Sequence, residues 1–526
     1  MDLLHTMTHD SVRRRRAYVE TYGCQMNISD GELMQGILAA QGFELAERPE
    51  EADVILVNTC AVREHAEQRV LGRVGQLRKL KKQRPDLVIG VTGCMAQRMG
   101  EALLERAPYV ELVMGPDGYR RLPDALRNLR PGWLPDGGEA GGGAAARHEA
   151  RTAPAPRREL PVLGAVPASP AAAPVAGAVG MAAGAAASRP AFDGGVQATA
   201  PQRVAVLDFE PHENYEGLEV RRGSRVTAWV PIQRGCNYRC TYCIVPYTRG
   251  SEKNRDPERI LEEVRSIAAQ GIPEVVLLGQ TVNSYEYGEW DFPRLLRAVA
   301  RVDGIRRVRF TSPHPNDVSE RLVEVMATEP TVCRQLHLPV QAGHDRTLKR
   351  MLRRYTVAEY LEKVRMVRSA IPDIALSTDV IVAFPGETEE EFEATLDLLR
   401  TVRFDDAFLY RYSPREGTPA TRLPREQFIP DAVAQERLER VIALQREIQA
   451  EINRGEVGRT VEVLVEREAR SEGDVLGRTE WNKVVAFPGG PELVGQFLQV
   501  RLTATTGATF RGEVVGPGAE EVGRVA

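Results

Sequence analysis

At 526 residues the chain is too long for one ordinary core, so about two to four domains are expected. Its formal net charge of −4 excludes a globally basic surface for nucleic acid; any such surface must be local. Seven cysteines is an odd number, the first twelve residues lack an apolar core, Arg13 to Arg16 follow them, and no run of eighteen apolar residues occurs. These features exclude a secreted disulfide scaffold and a membrane-spanning chain, and leave a cytoplasmic protein whose thiols stay reduced and open to metal.

After a tail over 1–16, residues 17–133 read as an α/β domain. Ala17-Tyr18-Val19, Val54-Ile55-Leu56-Val57 and Val88-Ile89-Gly90-Val91 are short apolar runs. Helical stretches over Asp30–Gln41 and Val62–Lys82 separate them, and such alternation predicts a parallel sheet. Each run is followed within a few residues by a cysteine: Cys24, Cys60 and Cys94. Residues just past the strand ends of an open parallel sheet gather at one edge. The three thiols should therefore converge, either as ligands of an iron–sulfur cluster with one iron left open or as ordinary buried thiols.

Residues 134–205 read as a disordered linker. From Gly141 to Ala200, 37 of 60 residues are Ala, Gly or Pro, too little apolar surface to offset the entropy of ordering the chain.

The next domain, 222–455, repeats strand then helix. Strands are expected at Ala228–Ile232, Glu274–Leu278, Arg307–Phe310, Gln335–Leu338, Ala375–Val382 and Ala407–Tyr410. Helices fit Pro257–Gln270, Phe292–Val302, Val318–Ala327, Val357–Ala370 and Glu389–Val402. Six such units predict a partial (β/α)6 barrel with its chemistry at the C-terminal strand ends. Just past the first strand stand Cys236, Cys240 and Cys243 in Arg234-Gly235-Cys236-Asn237-Tyr238-Arg239-Cys240-Thr241-Tyr242-Cys243. Three thiolates so close can hold three irons of a four-iron cluster and leave the fourth open to an exogenous ligand. Zinc on the same thiolates, with a distant ligand such as Cys333, is the alternative. Otherwise Cys333 reads as a buried thiol, and His314 and His337 as structural histidines without a catalytic role.

A helix over about Ala432–Arg454 leads to residues 456–520, where short strands at 460–466, 484–487, 497–502 and 512–515 predict a small antiparallel barrel. Local basic runs lie at Arg78-Lys79-Leu80-Lys81-Lys82, Arg306-Arg307-Val308-Arg309 and Arg346 through Arg354; each can be a phosphate-binding patch or a solvated face.

The Cys236–Cys243 loop resembles the radical S-adenosylmethionine (SAM) superfamily, and the three-domain order resembles its methylthiotransferases, whose C-terminal barrel is a TRAM domain. Thr21-Tyr22-Gly23-Cys24-Gln25-Met26-Asn27, Val57-Asn58-Thr59-Cys60 and Gly93-Cys94-Met95-Ala96-Gln97-Arg98 resemble the tRNA-2-methylthio-N6-dimethylallyladenosine synthases among them. So do Cys243-Ile244-Val245-Pro246-Tyr247-Thr248-Arg249-Gly250 and Ser312-Pro313-His314-Pro315. The resemblance covers all but the tail and the linker. It departs from the family pattern at Ala342 and His344, where small hydroxyl residues are usual, and at Ala383, where glycine is usual.

The resemblance implies addition of a methylthio group at C2 of N6-isopentenyladenosine, position 37 of tRNA. It implies two 4Fe-4S clusters, one on Cys24, Cys60 and Cys94 and one on Cys236, Cys240 and Cys243. The second would coordinate SAM, and its reductive cleavage would give the radical that takes the C2 hydrogen. Gly279, Gln280, Ser312, Gln341 and Asp379 are the residues expected around SAM. The implied partners are tRNA and an electron donor, with the enzyme a monomer. Sister enzymes acting on threonylcarbamoyl-adenosine or on a ribosomal-protein aspartate are the rival readings, and a non-catalytic iron–sulfur RNA-binding protein is a third.

Overall fold

Runs of β-branched and aliphatic residues without alternation, such as Val54–Thr59 and Val88–Gly93, form strands covered on both faces, and both are buried throughout. In this computed structural model, which describes residues 14–61, 64–134 and 203–516, they are the centre of a six-stranded parallel sheet. Its order is Glu44–Leu45, Arg16–Thr21, Val54–Thr59, Val88–Gly93, Leu112–Met114, Val204–Val206. Helices Gln25–Ala40 and Leu122–Leu129 pack with one core, built on Leu33, Met34, Leu38 and Leu126. Helix Glu64–Gln83 sends Val70, Val74 and Leu77 into another, beneath Ile55 and Ile89. The parallel register pairs Thr21 with Asn58 and Thr59 with Gly93, which levels the three strand ends that carry the cysteines.

The sixth strand corrects the boundary drawn from composition. Val204–Val206, assigned there to the linker, pairs with Leu112–Met114, and the chain after it stays on this domain. Val206 and Tyr215 enter its core, and the Tyr215 hydroxyl donates to the Pro116 carbonyl at 2.9 Å. Residues 135–202 are therefore inserted in the first domain's sequence rather than placed after it; the linker expectation itself falls on residues outside those described.

The second domain carries six parallel strands in two groups of three, Arg307–Phe310, Glu274–Leu278, Thr227–Pro231 and Gln335–His337, Ala375–Val382, Asp406–Arg411. A parallel bridge between Val308 and Val332 joins the groups, and helices intervene as the pattern predicts. Helix Pro257–Ala269 starts with the Asp256 carboxylate accepting from the Glu258 amide, and Val357–Ala370 and Glu389–Val402 both begin with capping boxes. Helix Asp431–Glu456 leads to a closed barrel of five strands, including Asp474–Thr479, which sequence pattern left unassigned.

Members of two of the basic runs serve architecture, while Arg346, Lys349 and Arg354 stay exposed. Arg307 and Arg309 are buried and donate to the carbonyls of Arg478 and Thr479 in the C-terminal barrel, each at 2.6 Å, while Arg309 also pairs with Glu274 at 3.0 Å. Arg306 pairs with Glu462 at 2.9 Å. Arg346 is held by Glu391 at 2.9 Å, and buried Arg353 donates to the Pro339 carbonyl at 3.0 Å.

The atypical positions are local. Ala342 is buried in the barrel core, and His344 caps helix Asp345–Arg350, its Nδ1 accepting from the Arg346 amide at 3.2 Å. Ala383 has φ +57°, a left-handed conformation in which Cβ crowds the following carbonyl.

First and second domains meet across buried charge. Asp117 accepts from Arg234 at 2.7 Å and from Lys253, and all three side chains are at least 92 % buried. The Arg234 guanidinium also lies 3.6 Å over the Tyr215 ring. Asp117→Asn leaves two buried cations without their anion and is expected to lower unfolding free energy by about 3–5 kcal/mol, read from denaturant titration. Ala383→Gly removes the Cβ conflict at the cost of added chain freedom, and should raise stability by about 0.5–1 kcal/mol in the same measurement.

Candidate functional site

Glycines set how closely the first three cysteines approach. Gly23 has φ +142° and Gly93 φ +92°. A Cβ on Gly23 would sit 2.7 Å from Cys60 Cβ, and one on Gly93 would sit 2.5 Å from both Asn58 Oδ1 and the Thr59 carbonyl. Only a residue without a side chain lets the loops carrying Cys24 and Cys94 close on the one carrying Cys60. Buried amides then tie them: Asn27 Nδ2 donates to the Thr59 carbonyl at 3.1 Å, Asn58 Nδ2 to the Asn27 carbonyl at 2.7 Å, and Thr59 Oγ1 to the Thr92 carbonyl at 2.6 Å.

The thiols differ in environment. A hydrogen bond with Cys60 lowers Cys24 to about 6, against the opposing effect of burial and with help from the Arg249 charge. Burial raises Cys94, which packs among Ala61 and Ile244, the latter from the second cysteine loop. Arg249 Nε donates to Cys94 Sγ at 3.2 Å, and Arg249 pairs with Asp30 at 2.6 Å.

In the second loop, Cys236 Sγ lies 3.3 Å from Thr281 Oγ1 and Arg353 donates to Cys240 Sγ at 3.6 Å. Burial raises Cys236, and pushes Cys243 up to about 12. Arg249 and Arg353 thus bring guanidinium N–H groups, and Thr281 a hydroxyl, within reach of three of the six sulfurs, surroundings that suit a thiolate bound to metal.

One cavity of about 1480 Å³ joins the two sets: Cys24 and Cys60 line it from the first domain and Cys243 from the second. Ser312, Gln341 and Asp379, expected around SAM, line it as well. Ser312 at φ +56° and Gln341 at φ +73° hold left-handed conformations at strand ends, the kind of strain that accumulates at functional sites. Gly279 and Gln280 do not line this cavity; their turn reaches the second loop through Thr281. The cavity extends down the barrel to Arg478 and Trp481 of the C-terminal domain.

His314 is buried, stacks 3.7 Å from the Tyr238 ring, and is pushed down to about 2 by burial and by the Arg353 and Arg354 charges, so it stays neutral. His337 lines the cavity, with Nδ1 3.0 Å from Ser377 Oγ and Nε2 3.4 Å from Asp379. Cys333 is buried beside the strand Arg307–Phe310, its amide donating to the Val308 carbonyl, and lines no part of the cavity. Sequence pattern gave no role to Arg249, Asn27 or Asn58; it placed Thr281 at the chemical end of the barrel and read Arg353 only as part of a basic run. Arg249 and the two asparagines do stand in the runs that carry the resemblance.

Comparison with known proteins covers the same three regions. Residues 16–115 match the family described as Uncharacterized protein family UPF0004, 230–399 the Radical SAM superfamily and 454–515 the TRAM domain. The tRNA-2-methylthio-N(6)-dimethylallyladenosine synthase of Chlorobium luteolum is 39% identical over 505 residues, covering 95% of this chain and 97% of that protein. Those of Thermoanaerobacter sp. and Geobacillus kaustophilus are each 41% identical, covering 95% and 96% of this chain and 92% and 83% of their own. Among solved structures, the radical SAM methyltransferase TsrM from Kitasatospora setae is a distant likeness, with 16% identity, a TM-score of 0.49, and coverage of 77% of this chain and 74% of its own. At this identity over nearly its whole length, the chain belongs to the tRNA-2-methylthio-N6-dimethylallyladenosine synthases.

Proposed function

We propose that the protein adds a methylthio group to C2 of N6-isopentenyladenosine at position 37 of tRNA, next to the anticodon. The observation that carries this reading is the single cavity reached by both three-cysteine sets. An aromatic C–H carbon has no leaving group, so the reaction needs one device that activates carbon and another that delivers sulfur. Placing both around one substrate avoids release of a reactive intermediate.

The cofactors are two 4Fe-4S clusters and SAM. Cys24, Cys60 and Cys94 would hold one cluster, and Cys236, Cys240 and Cys243 the other; soft thiolates suit iron–sulfur ligation. Ser312, Gln341 and Asp379 would contact SAM within the cavity; Gly279 and Gln280, outside its lining, lead to Thr281 beside Cys236. When bound, these groups supply the carbon radical and the sulfur. The chain's own residues do the rest. Thr281 Oγ1 contacts Cys236, Arg353 donates toward Cys240, the Asn27–Asn58 clasp fixes the first loops, and both domains contribute walls to the cavity.

The substrate is a tRNA whose anticodon-loop base is unpaired and can be splayed into the cavity. Phosphate contacts would make binding weaken with salt. With Arg307, Arg309 and Arg353 committed to architecture, those contacts fall to exposed basic residues, among them Lys79, Lys82, Lys349 and Arg354. We further propose a monomer, in the cytoplasm, fed by a separate electron donor. No helix among the described residues is long and apolar enough to cross a membrane.

Anaerobically reconstituted protein should contain about eight irons; about four, or stoichiometric zinc, would sink the two-cluster assignment. With SAM, reductant and isopentenylated tRNA, nuclease digestion and mass spectrometry should find the methylthio nucleoside. Product only on threonylcarbamoylated tRNA would reverse the substrate assignment. Cys24→Ala should abolish thiolation while reductive SAM cleavage stays measurable. Gly93→Ala should bring iron down to about four, since its Cβ collides with the Cys60 loop; retention of eight irons with full thiolation would show that the loops tolerate separation.

A further inference from the structure

We infer that Arg249 is a positioning residue for the first-domain cluster, setting its reduction potential from the opposite domain. The inference rests on the two-cluster reading. Arg249 follows the second cysteine loop in sequence, yet its side chain is only 3% exposed and is spent on the first domain. Nη2 pairs with Asp30, whose side chain is fully buried, at 2.6 Å, and Nε donates to Cys94 Sγ at 3.2 Å. Nη1 is buried and has no hydrogen-bond partner.

A purely structural ion pair accounts for Nη2 alone. It does not account for a donor aimed at a cysteine sulfur, or for a second N–H withheld from water and from every protein acceptor. Leaving a buried charged donor unmade is costly, so such a donor is explained by an acceptor that the bare chain does not supply. The chemistry that fits is an anionic sulfur: a thiolate or an inorganic sulfide of the cluster. Hydrogen bonds and positive charge at cluster sulfurs favour the reduced, more negative state and raise the potential. Asp30 opposes this and limits the effect. Because Arg249 sits on the second domain, the first cluster gains this donor only when the two domains are docked.

The test uses full-length reconstituted protein and potentiometric titration followed by electron paramagnetic resonance. Added SAM perturbs the cluster it binds and so marks which signal belongs to the other. Iron is measured first: about four irons in the unsubstituted protein would bring down the two-cluster reading itself. With about eight irons, Arg249→Lys keeps the charge beside Asp30 but loses the fork of donors, and the SAM-insensitive signal should move to more negative potential. Asp30→Asn should move it to more positive potential. No shift in either variant, or a shift confined to the SAM-sensitive signal, overturns the inference. If both variants lose the first cluster, the melting temperature of the iron-free chain decides. An unchanged value supports a role toward the cluster, and a lowered one assigns the pair to folding alone.

Discussion

The buried ionic seam between the first two domains is the constraint on which the site depends. Arg249 with Asp30, and Arg234 and Lys253 with Asp117, place charge where apolar packing would be the easier solution. Desolvating such groups costs several kcal/mol each, and well-packed apolar residues can match their net stability. What charged pairs add is direction: a guanidinium fork meets a carboxylate in very few geometries. Arg234 and Arg249 flank the second cysteine loop on either side, so fixing them fixes that loop against the first domain. Met26, next to Cys24's own turn, packs on Val276 and Leu278 of the barrel and adds contact but little orientation. The shared cavity exists because these directional contacts bring two independently legible halves face to face.

Much of this could be read from sequence because its cause is local. Period and composition mark the strands, and Glu274–Leu278, Arg307–Phe310 and Ala375–Val382 lie where the apolar runs place them. The cysteines stand out because each follows a strand, and strand ends of a parallel sheet share an edge. What stayed hidden is non-local. Nothing near Asp30 announces a partner more than two hundred residues away, and burying Arg249 runs against the ordinary preference of arginine for water. Arg307 and Arg309 misled for the same reason: a basic run looks like a surface until its partners, carbonyls of a distant barrel, are known. Val204–Val206 escaped notice because it is three residues long and borders a segment of very different composition.

The atypical residues show which part of a motif is chemistry and which is support. His344 supplies the helix cap that a hydroxyl would supply, and Ala342 is one more core side chain. Ala383 keeps the left-handed turn at a price in strain, its amide held by Glu387 at 2.6 Å. None of the three alters the cysteine loops. Ser312 and Gln341, which line the cavity, hold the same left-handed backbone conformation.

The placement of residues 135–202 has a consequence for how the molecule is built. The first domain's sheet is closed by a strand that the ribosome reaches only after the whole inserted segment. Until residue 206 has emerged, Leu112–Met114 is an open parallel edge, with its amides and carbonyls unpaired on one side. Cys236 follows thirty residues later. The two cysteine sets lie far apart in the sequence, yet the scaffold of the first is finished almost as the second is made. The second set's own scaffold, which runs on to the strand Asp406–Arg411, comes after both.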